Sequence, residues 1–353
     1  MAAPNSSPTV GGGANIAASA RTVSNDQTLF LKVWSGEYLD AYQEQLELGK
    51  LVATHTISNA KSYQWPTSGR ATAGPKDPGQ YTIGDDVVRF GEVEIFVDRP
   101  DYAEHFVDNI DELHSHYSIR RPLMLEQSRA LARYTESKIC GALSQAAQTD
   151  VPTGITYSFG GTDYGDATNR VFTLTGITSM AALRASDFTL VANAMADMNS
   201  LYYNLGMDPS QAYLVLDPQT YMAFKRSAEG LKLINRDYNA EAGINYRDGV
   251  LPTIYEIKVV RSTEWASWTD VAAAATPLNG DAAFHRNTYN PNNTDVAGLF
   301  FMGNSVGHLS LLGLQSTMSQ EELVDSVLIR NKKCDGVGPL RAETVFSLKL
   351  AAA

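Results

Sequence analysis

The run with the most chemical promise is Gly303-Asn304-Ser305-Val306-Gly307, which matches the G-x-S-x-G pattern of a nucleophile elbow and follows the strand-like Leu299-Phe300-Phe301. In such an elbow a serine on a strand-to-helix turn is activated by a histidine that an acid orients, giving a serine hydrolase. The surrounding sequence does not supply the parts. His308 to Leu314 reads as a strand rather than a helix, and the only histidine downstream is His308, with no acid before it. Ser305 is expected in a glycine-rich turn between strands, and a serine hydrolase stands as the alternative function.

Other candidates fail on spacing. His114-Ser115-His116 is an i, i+2 pair, whereas two helical metal ligands share a face at i, i+4. Ser58-Asn59-Ala60-Lys61-Ser62 lacks the glycines of a phosphate loop, and no G-x-G-x-x-G follows an expected strand. The acids Asp108, Asp111 and Glu112, and likewise Glu321, Glu322 and Asp325, suit a solvated helix face. Cys140 and Cys334 make neither a disulfide framework nor a zinc site, and both are expected to be buried small apolar groups in a reducing compartment. The expectation is therefore no catalytic residue, no cofactor and no metal.

Composition narrows the class further. With 353 residues, 44% hydrophobic and 19% charged, the chain can bury a sizeable core. Its 28 basic and 39 acidic side chains leave a net charge of -11, which opposes dedicated nucleic-acid reading. Arg21 is the first cation, Met1 to Ala20 lacks the pattern of a signal peptide, and no run of ~18 apolar residues occurs. Neither a leader nor a membrane span is expected.

The elements expected to carry these residues begin with a mobile tail through Gly11-Gly12-Gly13 and a helix with Leu29, Val33, Leu39, Tyr42 and Leu46, broken at Ser35-Gly36. From Thr54 to about Asp98 the residues read as a long β-hairpin interrupted by the breaker-rich Pro66 to Pro78. A two-stranded ribbon is marginal in water, so this one is expected to lie on a surface, that of another subunit. Helices are expected from Pro100-Asp101 to about Ser115 and from Arg120 to Ala147, then a loop or irregular hairpin over Pro152 to Thr168 and a strand over Arg170 to Gly176. A helix capped at Ser186-Asp187 should bury Leu190, Ala194, Met198, Leu201 and Leu205. Beyond it come a strand Ala212 to Leu216, a helix opened by Asp217-Pro218 through Arg226, and a strand Thr253 to Arg261. Gln320 to Ser326 reads as an acidic helix, and strands Val327 to Lys333 and Thr344 to Leu350 flank a turn at Asp335-Gly336.

With no active site and a ribbon that needs a partner, the profile favours assembly over catalysis. The order of arm, broken helix, ribbon, long helix and mixed α/β region resembles the major capsid proteins of tailed double-stranded DNA phages. Leu29-Phe30-Leu31-Lys32-Val33-Trp34-Ser35-Gly36-Glu37 is similar to the arm-helix motif of the short-tailed T-seven-like group, the podovirus or autographivirus group. Lys61-Ser62-Tyr63-Gln64-Trp65-Pro66 with Gly69-Arg70 is similar to its extended-loop signature. Asp111 to Arg120, Tyr213 to Pro218 and Gly338 to Glu343 resemble the spine-helix entry, the axial strand-to-helix step and the C-terminal motif. Ser35 and Ala60 stand where glycine is common, and Trp265 to Pro291 has no counterpart.

The resemblance implies an α+β, Hong Kong ninety-seven-type fold. Its parts would be an N-terminal arm (1–53), an extended loop (54–98), a peripheral domain with the spine helix (99–185), an axial domain (186–314) and peripheral return strands (315–353). It implies a structural protein that self-assembles into pentamers and hexamers of an icosahedral shell around the phage genome; a ring-forming tail-associated protein is a further alternative. Implied partners are further copies, a scaffolding protein, a portal protein and packaged double-stranded DNA bound without sequence specificity, with no membrane. The implied location is the virion capsid, assembled in the host cytoplasm. Leu29, Phe30, Trp34, Lys61, Gln64, Trp65 and Arg70 are the expected intersubunit contacts. Some relatives weld their shells through Lys–Asn bonds, but the group resembled is uncrosslinked, and Lys61 is expected to be an ordinary surface lysine.

Overall fold

A computed structural model describes residues 42, 46–68, 78–79, 90–108, 120–151, 157–227, 253–263, 295–321 and 326–351. In chain order its elements are β1 (Ala53–Thr56), β2 (Ser62–Ser68), β3 (Phe90–Phe96), β4 (Asp101–Asp108), α1 (Arg120–Gln148), β5 (Ser158–Phe159), β6 (Thr162–Asp163), β7 (Val171–Leu174), α2 (Met180–Ala185), α3 (Thr189–Asn204), β8 (Ala212–Leu216), α4 (Pro218–Arg226), β9 (Lys258–Arg261), β10 (Val296–Met302), β11 (Val306–Glu321), β12 (Ser326–Pro339) and β13 (Phe346–Leu350). The chain divides into a smaller unit of Met1–Glu44, Asp101–Leu131 and Leu314–Lys332, and a larger unit of Gln45–Pro100, Ala132–Gly313 and Lys333–Ala353.

The larger unit is built on a five-stranded sheet of order β7-β13-β10-β8-β9. Pleating sends alternate side chains to opposite faces. Ala212, Leu214 and Leu216 of β8 therefore join one core with Leu183 of α2, Met195 and Met198 of α3 and Phe224 of α4, while Val215 joins a second with Ile139 and Leu143 of α1. A strand covered on both faces reads as a continuous apolar run, and all seven residues of β10 are buried. Burying each Leu or Phe contributes about 1.5–3 kcal/mol, which makes this sandwich the main apolar reserve of the unit.

Helix ends here follow local chemistry. Asp217 Oδ2 accepts from the Gln219 and Thr220 amides, and Pro218 fills the first turn where its missing N–H costs nothing, so α4 has the expected bounds. Helix α3 differs from expectation at its start. Phe188, in left-handed geometry and buried, precedes it, and Leu190 is exposed while Val191, Ala194, Met195, Met198 and Leu201 line the core. Phe188 stacks on Phe224 at 5.1 Å, so the first apolar anchor of the helix is Phe188 in place of Leu190, while Ala194, Met198, Leu201 and Leu205 are buried as expected.

In the smaller unit the first half of α1 packs Met124, with Leu123, on Val107 of β4 and Val327 and Ile329 of β12. The stretch Asp101–Asp108, expected to be helical, is a strand. Tyr102, Glu104, Phe106 and Asp108 face water and Val107 faces the core, a period of two that the neighbouring β12 converts into sheet pairing. The rest of that expected helix, and His114 to His116, lie outside the described residues.

Two more expectations yield to tertiary contacts. Gln320 and Glu321 end strand β11 instead of opening a helix, and β12 runs straight through Asp335-Gly336 with no turn. An Asp-Gly pair favours a turn when the carboxylate is solvated, and Asp335 is only 2% exposed. At the other end of the chain, β1 is not part of the hairpin: it pairs in parallel with β11, Ala53 opposite Gly307. Thr253 to Arg261 is a strand only from Lys258.

Candidate intersubunit surface

The hairpin is made by β2 and β3 in antiparallel register, Ser62 opposite Phe96 through Ser68 opposite Phe90. Alternation divides its side chains. Tyr63 and Trp65 turn to the chain's own body, packing against Ile57, Ile95, Leu309 and Leu340, with Tyr63 4.2 Å from the His55 ring and 4.5 Å from Trp65. Glycine makes this fit possible at two places: a Cβ on Gly307 would come within 2.9 Å of Leu340, and one on Gly338 within 3.0 Å of Ile95. The expectation that the ribbon has no home in its own molecule therefore fails at its foot. An aromatic on an inward position of a strand finds the nearest apolar floor, and that floor is β3, β11 and the segment after β12.

The opposite face stays in water. Gln64 opposite Glu94, Pro66 opposite Glu92, and Phe90 present an acidic and apolar strip, and Phe90 is 79% exposed. Of the expected contact residues, Lys61 and Gln64 are exposed, Trp65 is half-buried in its own core, and Leu29, Phe30, Trp34 and Arg70 lie outside the described residues. Phe90 was missed. Counting outward positions in register from Gln64 would have found it, but register needs the turn length, which the sequence does not fix.

A buried ionic cluster ties the hairpin's return to α1. Asp335 accepts from Lys138 at 2.9 Å, Lys333 at 2.7 Å and His308 Nε2 at 3.2 Å, and Asp98 Oδ2 lies 4.0 Å from Lys138. Because a carboxylate only accepts, Nε2 of His308 carries a proton, and Nδ1 faces the Thr54 hydroxyl at 3.5 Å. Burial alone would raise the Asp335 pKa, but attraction from Lys138 and Lys333 and the His308 contact outweigh it and hold the carboxyl well below its usual range. Two lysines against two carboxylates keep the cluster neutral, which is how charges are tolerated inside a protein.

A second clasp grips the chain before β1. Glu136 of α1 accepts from the Leu48 and Gly49 amides at 3.0 and 2.9 Å. Burial outweighs these bonds and pushes its pKa from 4.5 to about 7. A carboxyl raised on folding favours the folded chain at pH below 4.5, and this advantage is lost as pH rises through about 7. Glu136→Gln is expected to flatten the pH dependence of stability between these limits by about 3 kcal/mol, read as urea midpoints at pH 5 and pH 8. Parallel slopes for wild type and variant would refute this.

Ser305 sits in the turn between β10 and β11, fully buried. Its Oγ accepts from the Met302 amide at 2.8 Å and pairs with Thr344 Oγ1 at 2.6 Å. A strand follows it instead of a helix, so the serine is a turn-holding group with no access to a substrate. Among the described residues no cluster of three metal-ligating side chains occurs, and no helix is long and apolar enough to cross a membrane. Both cysteines are buried, as expected, and neither is in a disulfide.

A family model described as Gp10A-like major capsid protein matches residues 64–349. The chain belongs to the Gp10A-like major capsid protein family. It is a structural protein of the icosahedral phage capsid and no enzyme, and the hydrolase and tail-ring alternatives are not favoured. The capsid structure of cyanophage P-SCSP1u shares 25% identity with this Gp10A-like chain over 92% of it and 94% of its own length, with a TM-score of 0.68. Bacteriophage PhiM1 in its mature capsid shares 17% over 87% and 88%, TM-score 0.63, and cyanophage Pam1 11% over 89% and 92%, TM-score 0.60; these two show the fold. The fold of the Gp10A-like chain is thus the Hong Kong ninety-seven type, the capsid assemblies imply that it assembles with further copies of itself, and its homologues are components of virion capsids. No curated protein matches the sequence.

Proposed function

We propose that this capsid protein is of the short-tailed T-seven-like group and closes its shell by laying the outward face of the β2–β3 hairpin on the next copy. The observation that carries this reading is Phe90, left 79% exposed beside Gln64, Pro66 and Glu92 on an element whose other face is already packed at home. A half-satisfied ribbon with an aromatic at its far end suits a contact made only in the assembly. Burying a few hundred square ångströms at ~25 cal/mol per Å2 gives a gross gain of several kcal/mol, reduced by association costs. Contacts of that size can break while errors are corrected, and their number stabilises the finished particle.

In this reading residues 1–53 form the arm, 54–98 the extended loop, 99–185 and 315–353 the peripheral domain, and 186–314 the axial domain. Leu29, Phe30, Trp34, Lys61, Gln64 and Arg70 join Phe90 in contacts between neighbours, and Trp65 braces the loop from within. Pentamers and hexamers form in the host cytoplasm on a scaffolding protein, a portal occupies one vertex, and double-stranded DNA is packaged. The net charge of -11 supports a wall that does not grip phosphates while DNA moves past it.

The test is Phe90→Ala in the full chain, co-expressed with a scaffold partner and viewed by negative-stain microscopy. Being exposed, Phe90 contributes little to the fold, so the thermal midpoint should be unchanged while shell yield falls about tenfold, the effect of ~1.4 kcal/mol per contact. Shells at wild-type yield would refute the hairpin contact.

A further inference from the structure

At the start of β9 the chain makes a two-residue turn that its sequence does not favour. Ile254 and Ile257 exchange both backbone hydrogen bonds, at 2.9 and 3.0 Å, and the two residues between them are left-handed: Tyr255 at φ 47° and Glu256 at φ 65°. Turns of this kind select Asn and Gly, and a bulky residue with positive φ is strained. The buried isoleucines anchor the turn from below. Two bonds from α3 hold it from the side: Asn199 Nδ2 donates to the Tyr255 carbonyl and the Tyr203 hydroxyl donates to Glu256 Oε2, both at 2.6 Å. The strain yields no packing, since Tyr255 stays 54% and Tyr203 56% exposed. The result is a rigid knob of two tyrosines and one carboxylate, and Glu256 has no ion-pair partner among the described residues.

A cleft of about 690 Å3 opens along the outer face of α4, lined by Arg184, Ser186, Gln219, Met222 and Arg226. Arg184 is engaged by Asp217 at 2.8 Å. Arg226 is exposed and has no ion-pair partner among the described residues. The cleft therefore offers one uncompensated cation beside the apolar Met222, itself 41% exposed.

The knob and the cleft lie by opposite ends of α3: Ser186 just before it, Asn199 and Tyr203 in its last turns. At 1.5 Å per residue Asn199 and Tyr203 lie roughly 15 and 21 Å along the axis from the first residue of the helix, Thr189. Two different patches, one acidic and aromatic, one cationic and hollow, are what a head-to-tail contact joins, and such contacts generate rings when the rotation closes. Aromatic anchors that fill a neighbour's pocket dominate interface energies.

We infer that the knob of Tyr203, Tyr255 and Glu256 seats in the Arg226–Met222 cleft of a second copy, forming the ring contact within a capsomer. The inference rests on assembly into rings, and it concerns a surface separate from the hairpin.

The test is a charge exchange in the full chain: Glu256→Arg, Arg226→Glu and the double variant, with ring and shell formation followed by sedimentation and negative-stain microscopy. All substituted positions are exposed; Arg226→Glu should melt as the wild type does, and Glu256→Arg, which also loses the Tyr203 bond, should melt slightly lower while staying folded. Each single change should lower assembly at least about tenfold, and the double should restore it to within about threefold, as expected of a close charge pair. A second variant, Tyr255→Asn with Glu256→Gly, gives the turn its preferred residues. It should melt no lower than wild type and still assemble poorly, separating a contact from a folding role. Single variants that assemble normally, or a double that stays defective, overturn the inference. A wild-type chain that never leaves the monomer overturns the ring reading itself, a result distinguishable from variants that match a competent wild type.

Discussion

Asp335→Ala is expected to be the most damaging single change, lowering unfolding free energy by about 3–5 kcal/mol, the usual cost of stranding a buried charge. The substitution takes from the Lys138 and Lys333 ammonium groups, 0% and 4% exposed, the carboxylate they share at 2.9 and 2.7 Å, while Asp98 lies 4.0 Å from Lys138. Lys333 keeps its Thr135 hydroxyl partner, which cannot offset a charge. Since small domains are stable by only ~5–15 kcal/mol, the variant should lose much of its soluble yield. The pH profile gives an independent reading. A carboxyl whose folded pKa lies below its unfolded value contributes stability above pH ~4, and that contribution is lost as pH falls through the folded value. The wild type should weaken below pH ~4, and Asp335→Ala should lack that acid transition. Urea unfolding at pH 7 and pH 3 measures both, and a variant as stable as wild type at pH 7 would refute the account.

Arg170→Ala follows closely, with an expected loss on the order of 4 kcal/mol from unpaired carbonyls and a cavity. Arg170 is fully buried, and its guanidinium donates to the carbonyls of Ala146, Thr149 and Ala342. Ala146 lies in the last turn of α1 and Thr149 just beyond it, where a cation also meets the negative end of the helix dipole. Burial lowers its pKa, against the opposing pull of Glu343, Asp150 and Asp166. Arg170→Lys should recover less than half of the loss, because one ammonium cannot span three carbonyls held by a planar fork. Thermal unfolding of the two variants checks this; equal midpoints for lysine and arginine would remove the capping role.

Much of the fold was legible because several signals coincide locally. Arg120 to Ala147 was expected as a helix and α1 ends one residue later; Ala212–Leu216 and Pro218–Arg226 have the expected bounds. The first was legible from its apolar spacing, and the other two meet at the end signal Asp217-Pro218. The irregular hairpin between α1 and β7 and the turn role of Ser305 were legible for the same reason, glycine and polar side chains bonding to nearby backbone. Asp101–Asp108 was not legible as a strand, because Tyr102, Phe106 and Val107 fit either period until β12 lies alongside. Nor was the straight course through Asp335-Gly336, because the turn signal is cancelled by Lys138, 197 positions away, by Lys333 and by His308.

For the interaction surface the division is similar. The sequence by itself determined that the chain has a buried α/β core, a ribbon with alternating aromatics and no arrangement of groups fit for catalysis, since composition, period and spacing are local properties. Only the tertiary structure decided that Trp65 faces home and Phe90 faces water, that Glu256 and Arg226 have no ion-pair partner among the described residues, and that Asp335 is clamped inside. Which face of a strand is covered, and which charge is compensated, depend on what distant segments bring against it, and burial then fixes the energy of each group.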